Sequence, residues 1–303
     1  MMNYINHASK MTGRRLLVLS ALFTLSSISW ASSLNTTASI DTPDSSSSAK
    51  TTIELPLQGV TLEYKTDVRL LQVLDDANAN SNIGYFPLSA QLFDKTNTDA
   101  IDAKTRNVLN QLKVLAVEEP EANLVRQQLA SFQYLNRIFI ELDRNVVISQ
   151  SDKNPSLILR SNTSEQLSSS ATQFSIKTLS TMKKAPASQT QAFSLYLPKR
   201  PTSIQLMGVM KEPVRMKLIE HGTLNDYLDA LPNGFIGESV DKSVAYVVQP
   251  NGVVQTIQYA YWNEQPVYLA PGAIVFMAFY ALPSEFSMLN KDIVDLLRHK
   301  VGL

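Results

Sequence analysis

Two prolines three residues apart, in Pro198-Lys199-Arg200-Pro201, constrain this chain more than any other feature of its sequence. Proline has no amide hydrogen to give a central strand, so the segment reads as a stiff linker and sets a domain boundary near residue 200. Beyond it the pattern is regular. Ile204 to Val209 and Val214 to Leu218 alternate as strands around Met210 to Pro213. Thr223 and Asp226 make a capping-box-like start for a short helix through Tyr227, Leu228 and Leu231. Val244 to Val248 and Val253 to Ile257 flank Pro250-Asn251-Gly252, a hairpin turn in which glycine accepts positive φ. Val267 and Leu269 lead through Pro271-Gly272 into Ile274 to Phe279. Two strands, a helix and further strands are the profile of a small β-grasp module, and the fold class is α+β.

Before the boundary, Ile53 to Leu57 and Val60 to Tyr64 alternate around Gln58-Gly59 as a hairpin. Asp67 opens a short helical run with Val68, Leu71 and Leu74 on one face. Ile101, Val108, Leu109, Leu112 and Leu115 define one longer helix, and Val125, Leu129 and Phe132 a second, punctuated by Glu119-Pro120-Glu121. Together they predict a helical hairpin inserted at residues 99–135. Alternation returns with Ile138, Ile140 and Leu142 on one face and Arg137, Phe139, Glu141 and Asp143 on the other. Residues 161–191, rich in Ser, Thr and Gln, read as a long polar loop with one weak strand near Phe174 and Ile176.

The N-terminus carries an address. Arg14 and Arg15 precede an apolar run from Leu16 to Leu25, and Ser29-Trp30-Ala31 completes the pattern of a secretory signal at residues 1–31. A membrane span needs about 20 consecutive apolar residues, and Ser20, Thr24, Ser26 and Ser27 interrupt this run. Residues 32–52 hold too little apolar surface to order themselves. The expectation is a secreted protein, periplasmic in a Gram-negative cell, without a membrane span after cleavage. The absence of cysteine removes disulfides, thiolate chemistry and a lipid-modified N-terminal Cys. Lys10, Arg14 and Arg15 are the only charges before residue 32, so from 27 basic and 27 acidic side chains the remainder keeps 24 and 27. A dedicated nucleic-acid binder needs clustered positive charge instead.

Chemistry is sparse. Outside the leader the histidines are His221, before a helix entrance, and His299, in a last helical turn where positive charge suits the macrodipole. There is no Gly-rich phosphate loop, GxSxG elbow or metal-ligand spacing, so neither cofactor nor metal is expected. Glu118-Glu119 and Asp75-Asp76 are adjacent carboxylates, whereas glycoside hydrolysis needs carboxyls converging across about 5 to 9.5 Å from distant segments. Both pairs read as solvated helix ends. Tyr259, Tyr261, Trp262 and Tyr268 offer faces on which sugars stack, but at this density aromatics read first as core.

The chain closes with an amphipathic helix from about Ser284 to Val301, roughly 27 Å long at 1.5 Å per residue. Leu289, Ile293, Leu296, Leu297 and Val301 share one face, and Asn290, Lys291, Asp292, Asp295 and Arg298 the other. Each aliphatic residue of that stripe is worth roughly 1.5 to 3 kcal/mol when buried. The stripe either packs on the protein's own domains, the preferred reading, or serves as an interaction helix towards an oligomer or a membrane.

Leu206-Met207-Gly208-Val209, Thr223 to Leu228, Pro250-Asn251-Gly252, Trp262-Asn263, Pro271-Gly272, Leu282-Pro283 and Leu289 to Val294 resemble, in this order, the GfcC family of capsule biosynthesis proteins. The resemblance implies two β-grasp domains, at residues 53–200 and 201–282, the first carrying the helical hairpin, and a C-terminal helix at 283–303. It implies kinship with the SLBB-type β-grasp modules of Wza-like outer-membrane polysaccharide export proteins. It further implies a periplasmic, non-enzymatic role in capsule or exopolysaccharide export, with a polysaccharide, a Wza-like export protein or both as partners. The family has a cleft arginine just before a strand reading apolar, x, apolar, x, Leu-Asp; here Arg137 precedes Ile138 to Asp143. A guanidinium fits the carboxylate of an acidic sugar or of a partner, with Glu141 as a second ligand-binding candidate. The plainer readings of Arg137 are an ion pair with Glu141 or Asp143, or exposure to water. The alternative function is a periplasmic polysaccharide-modifying enzyme with Arg137 beside one of those acids.

Overall fold

Alternating apolar residues bounded by turn residues build two five-stranded sheets in this computed structural model. It describes residues 51–80, 84–157, 160–161, 183–184, 191–219, 222–232, 234–262 and 267–302, with backbone alone at 160–161 and 183–184. The expected leader, the Ser-rich tail up to residue 50, the weak strand near Phe174 and Ile176, and His221 lie outside the described residues. The first sheet contains β1 (Thr51–Leu55), β2 (Val60–Tyr64), β3 (Gln91–Asp94), β4 (Asn136–Ile138) and β7 (Gln191–Tyr196), in the order β2-β1-β7-β3-β4. The second contains β8 (Ser203–Gly208), β9 (Val214–Lys217), β10 (Val240–Val248), β11 (Val254–Gln258) and β12 (Ile274–Phe279), in the order β9-β8-β12-β10-β11. Numbered within its own sheet, each order is 2-1-5-3-4, and in each the first and last strands run parallel at the centre. A short ribbon pairs β5 (Arg160–Ser161), at the start of the polar segment, with β6 (Lys183–Lys184) inside it.

Helices sit at matching places. α1 (Leu70–Ala79) follows the first hairpin, and α5 (Leu224–Asp229) follows the second. The capping box that opens α5 is present: Thr223 Oγ1 accepts from the Asp226 amide, and the Asp226 carboxylate accepts from the Thr223 amide at 2.6 Å. α1 buries Leu70, Val73, Leu74 and Ala77, and Val68 just before it is buried too; of the expected Val68-Leu71-Leu74 face only Leu71 lies at the rim, partly buried against the same core. It covers the first sheet together with Leu142, Val147 and Leu157.

The helical hairpin exists as α2 (Asp99–Leu115) and α3 (Glu121–Ala130), inserted between β3 and β4 of the first sheet. Its apolar stripe nevertheless lies in the core of the second sheet, where Ile101, Val108, Leu112, Leu115, Ala122, Val125 and Leu129 pack with Leu206, Met207, Val209 and Phe276. Polar groups fix that docking. Buried Gln128 of α3 donates to the carbonyls of Gly208 at 3.0 Å and Met210 at 3.1 Å, and accepts from the Gly208 amide at 2.9 Å. Glu121 accepts from the amides of Glu238 at 2.7 Å and Ser239 at 2.8 Å, while Glu119 accepts from the Ser239 hydroxyl at 2.5 Å. Glu119 is therefore not a solvated helix end. Asp75 is solvated, its side chain 43% exposed while pairing with Arg144, and Asp76 accepts from the Tyr64 hydroxyl at 2.7 Å.

Other expectations need correction. β1 begins at Thr51, inside the segment read as a tail, because Thr51 and Thr52 pair with both β2 and β7. The strand expected over residues 138–143 ends at Ile138; Asp143 caps α4 (Arg144–Ser149), its carboxylate accepting from the Asn145 amide at 2.9 Å. The C-terminal segment is a single 3₁₀ turn at Ser284–Phe286 followed by α6 (Leu289–Leu297), half the expected length. It stops early because the next residues leave the helix to pair with the segment before β4: the Leu135 amide donates to the His299 carbonyl at 3.1 Å, and the Val301 amide to the Gln133 carbonyl at 2.9 Å. Among the described residues no helix is long and apolar enough to cross a membrane.

Candidate functional site

Arg137 stands on β4, at the edge of the first sheet, where the β10–β11 turn and the residues after α6 meet it. It is 7% exposed. A buried guanidinium must place its donors, and all its acceptors here are backbone carbonyls. Nη2 donates to Pro250 O at 2.6 Å and to Ala90 O at 3.4 Å, and Nη1 donates to Arg298 O at 3.4 Å. The Arg137 amide donates to Nδ1 of His299 at 3.1 Å. Among the described residues no carboxylate pairs with Arg137. Glu141 instead accepts from the amides of Leu142 at 3.0 Å and Asp143 at 2.8 Å. The ion pair and the exposed guanidinium considered from sequence are both replaced by a carbonyl cradle.

Around it the junction closes tightly. Gly252 has φ +85°, and a Cβ on it would lie 2.4 Å from the Phe139 ring, so only glycine lets that ring reach the turn. The guanidinium of Arg298 lies 4.3 Å and that of Arg137 5.5 Å from the Phe139 ring centroid, and His299 meets the same ring edge-on at 5.5 Å. Arg298 donates to Gly252 O at 2.8 Å and pairs with Asp295 at 3.1 Å. Gln91 of β3 accepts from the Gly302 amide at 3.0 Å. Gln249 donates to Tyr268 O at 2.9 Å and accepts from the Ala270 amide at 3.1 Å. Sequence reading gave no role here to Gln91, Phe139, Gln249, Arg298 or Lys300, because no local spacing marks them as partners of Arg137.

The electrostatics are those of crowded, desolvated cations. Burial, then Arg298, lowers Arg137 to about 10. Burial, then Arg215, lowers Lys300 to about 8. Burial, then Lys104, lowers His299 to about 4, so the imidazole is neutral and its Nδ1 is free to accept. That corrects the view of His299 as a cation in a last helical turn. Asp295 is pushed up by burial, but Lys104, Arg298 and His299 outweigh this and hold its carboxyl below the usual range.

The cavity beside Arg137 measures about 10 Å³ and is lined by Gln91, Arg137, Gln249, Pro250 and Lys300, room for one water and not for a sugar ring. A wider groove of about 580 Å³ lies along β9, lined by Val214, Met216, Ile219, Leu231 and Phe235. Leu289, Ile293, Leu296 and Leu297 of the proposed interaction stripe are buried within the chain's own core, beside the α2 stripe. The aromatic residues divide. Tyr259 is buried and donates to Asp241 O, but Tyr261, Trp262 and Tyr268 are exposed, against the core reading. Among the described residues there is no group of three or more His, Cys, Asp or Glu able to hold a metal ion.

Residues 49–162 match the family described as Capsule biosynthesis GfcC, N-terminal, and residues 212–302 the one described as Capsule biosynthesis GfcC C-terminal. A curated relative, the uncharacterized protein YjbG of Escherichia coli (strain K12), is 27% identical over 111 residues, which span 36% of this chain and 44% of that protein. The chain thus covers less than half the length of that relative. Together the two matches cover more than half of the chain and contain both sides of the Arg137 junction, so the chain belongs to the GfcC family of capsule biosynthesis proteins.

Proposed function

We propose that this chain is a non-enzymatic accessory protein of capsule or exopolysaccharide biosynthesis, working in the periplasm as two SLBB-like β-grasp modules that bind glycan or a Wza-like export protein. The shared 2-1-5-3-4 strand order, each with a helix after its first hairpin, supports the β-grasp assignment. Family membership supports the pathway.

One observation carries the choice of binding over catalysis: the guanidinium of Arg137 is taken up by carbonyls, beside a cavity of only about 10 Å³. A hydrolase or lyase needs an acid and a base converging on a space that admits its sugar. Arg137 instead holds the β10–β11 turn against β4, and recognition falls to outer surfaces such as the β9 groove.

Deleting the gene should reduce the amount or alter the chain length of exported polysaccharide; unchanged polysaccharide in the deletion strain refutes the role. Incubating purified protein with that glycan and sizing the product addresses the other class, since new chain ends would establish an enzyme.

A further inference from the structure

A sheet edge exposes unpaired amides and carbonyls, and proteins keep such edges from pairing with charge or cover. Three of the four edges of the two large sheets are managed so. β2 carries exposed Glu63. β4 is covered by the segment after α6, through the bonds of Leu135 and Arg137 to His299. β9 carries exposed Arg215 and Lys217. β11 has neither device: no charge occurs between Asn251 and Trp262, and Val254, Gln255, Thr256 and Gln258 are exposed.

The register shows which groups are free. The Tyr259 amide donates to Ser243 O and the Gln249 amide to Val253 O, so Val253, Gln255, Ile257 and Tyr259 direct their backbone groups to β10. By alternation, Val254, Thr256 and Gln258 direct theirs outward. This outward set is symmetric about Thr256. An antiparallel second copy with Thr256 opposite Thr256 sets Val254 opposite Gln258 on both sides and pairs every free amide with a free carbonyl. The same two-fold brings Tyr261 and Trp262, 89% and 65% exposed, towards the turn of the other copy, where Val253 is 50% exposed. An edge without charge offers nothing to a charged partner and no repulsion to its own copy.

We infer that β11 is a homodimerisation edge, two copies joining their second sheets into one continuous ten-stranded sheet about a two-fold axis at Thr256. A strand this short buries well under the roughly 1,200 Å² of a standard interface, so the dimer dissociates on dilution. The inference stands apart from the proposed function.

Sedimentation velocity on the protein as isolated from cells, from about 1 to about 500 µM, tests it. The wild type should shift from monomer to dimer with concentration. Thr256→Lys sets like charges opposite each other at the axis, and Thr256→Pro removes the central outward amide without touching the β10 ladder. Each should weaken association at least about tenfold at unchanged circular dichroism and Tm, while Thr256→Val keeps the dimer. A monomer throughout the range, or a dimer indifferent to both Lys and Pro, overturns the inference.

Discussion

His299 makes the stability of this protein depend on pH in a way that can be calculated. Its ring is packed edge-on against Phe139, its Nδ1 accepts the Arg137 amide, and Lys104, Arg298 and Asp295 are the charges nearest in effect. In the folded state the imidazole does not take a proton until about pH 4, against 6.5 for the ordinary group. Between those values the unfolded chain binds a proton that the folded chain refuses, so acid favours unfolding there. Going from about pH 7 to about pH 5, this one group costs about 2 kcal/mol, on the scale of 1.36 kcal/mol per unit. His299→Gln supplies an amide oxygen for the Arg137 amide but cannot titrate. Urea unfolding of both proteins at the two pH values isolates the effect: the wild type should lose about 2 kcal/mol more than the variant. Equal losses would show that His299 is accessible to protons in the folded state, and the closed junction would have to be abandoned.

Two further substitutions probe the same contact from opposite sides. Gly252→Ala introduces a Cβ 2.4 Å from the Phe139 ring at φ +85°, and should cost about 2 to 4 kcal/mol in urea unfolding, part of which Phe139→Leu restores. Arg137→Met keeps the aliphatic stem but strips donors from the Pro250 and Ala90 carbonyls, a loss partly offset by removing a buried charge beside Arg298. The net expectation is a loss of about 2 kcal/mol, seen as a fall of about 4 to 8 °C in Tm; an unchanged Tm would mean that the cradle holds nothing.

What the sequence made legible follows the reach of local rules. The second sheet was readable because alternation there is bounded by Pro250-Asn251-Gly252 and by a complete capping box at Thr223 and Asp226. β3 was not, since Gln91, Leu92, Phe93 and Asp94 are all buried and show no alternation. α4 was hidden because Asp143 continues the apparent alternation from Arg137 while acting as a helix cap. For Arg137 the decisive partners lie far along the chain, Pro250 being 113 residues away, and no spacing rule connects an arginine with a carbonyl. The exposed Tyr261 and Trp262 were read as core because residue type alone cannot tell the end of a strand from its interior.

The destination of the helical hairpin was equally hidden, and it has the larger consequence. By sequence α2 and α3 interrupt the first sheet, yet their stripe completes the core of the second. The first sheet has its own cover in α1 and α4. Separating the sheets would therefore expose Val108, Leu112, Leu115, Val125 and Leu129, each worth roughly 1.5 to 3 kcal/mol when buried. It would also break the Arg137 cradle. That sum rivals the whole stability of an ordinary domain, about 5 to 15 kcal/mol. A partner that grips one sheet thus acts on both, and a binding role for this chain rests on surfaces fixed relative to each other instead of on a hinge.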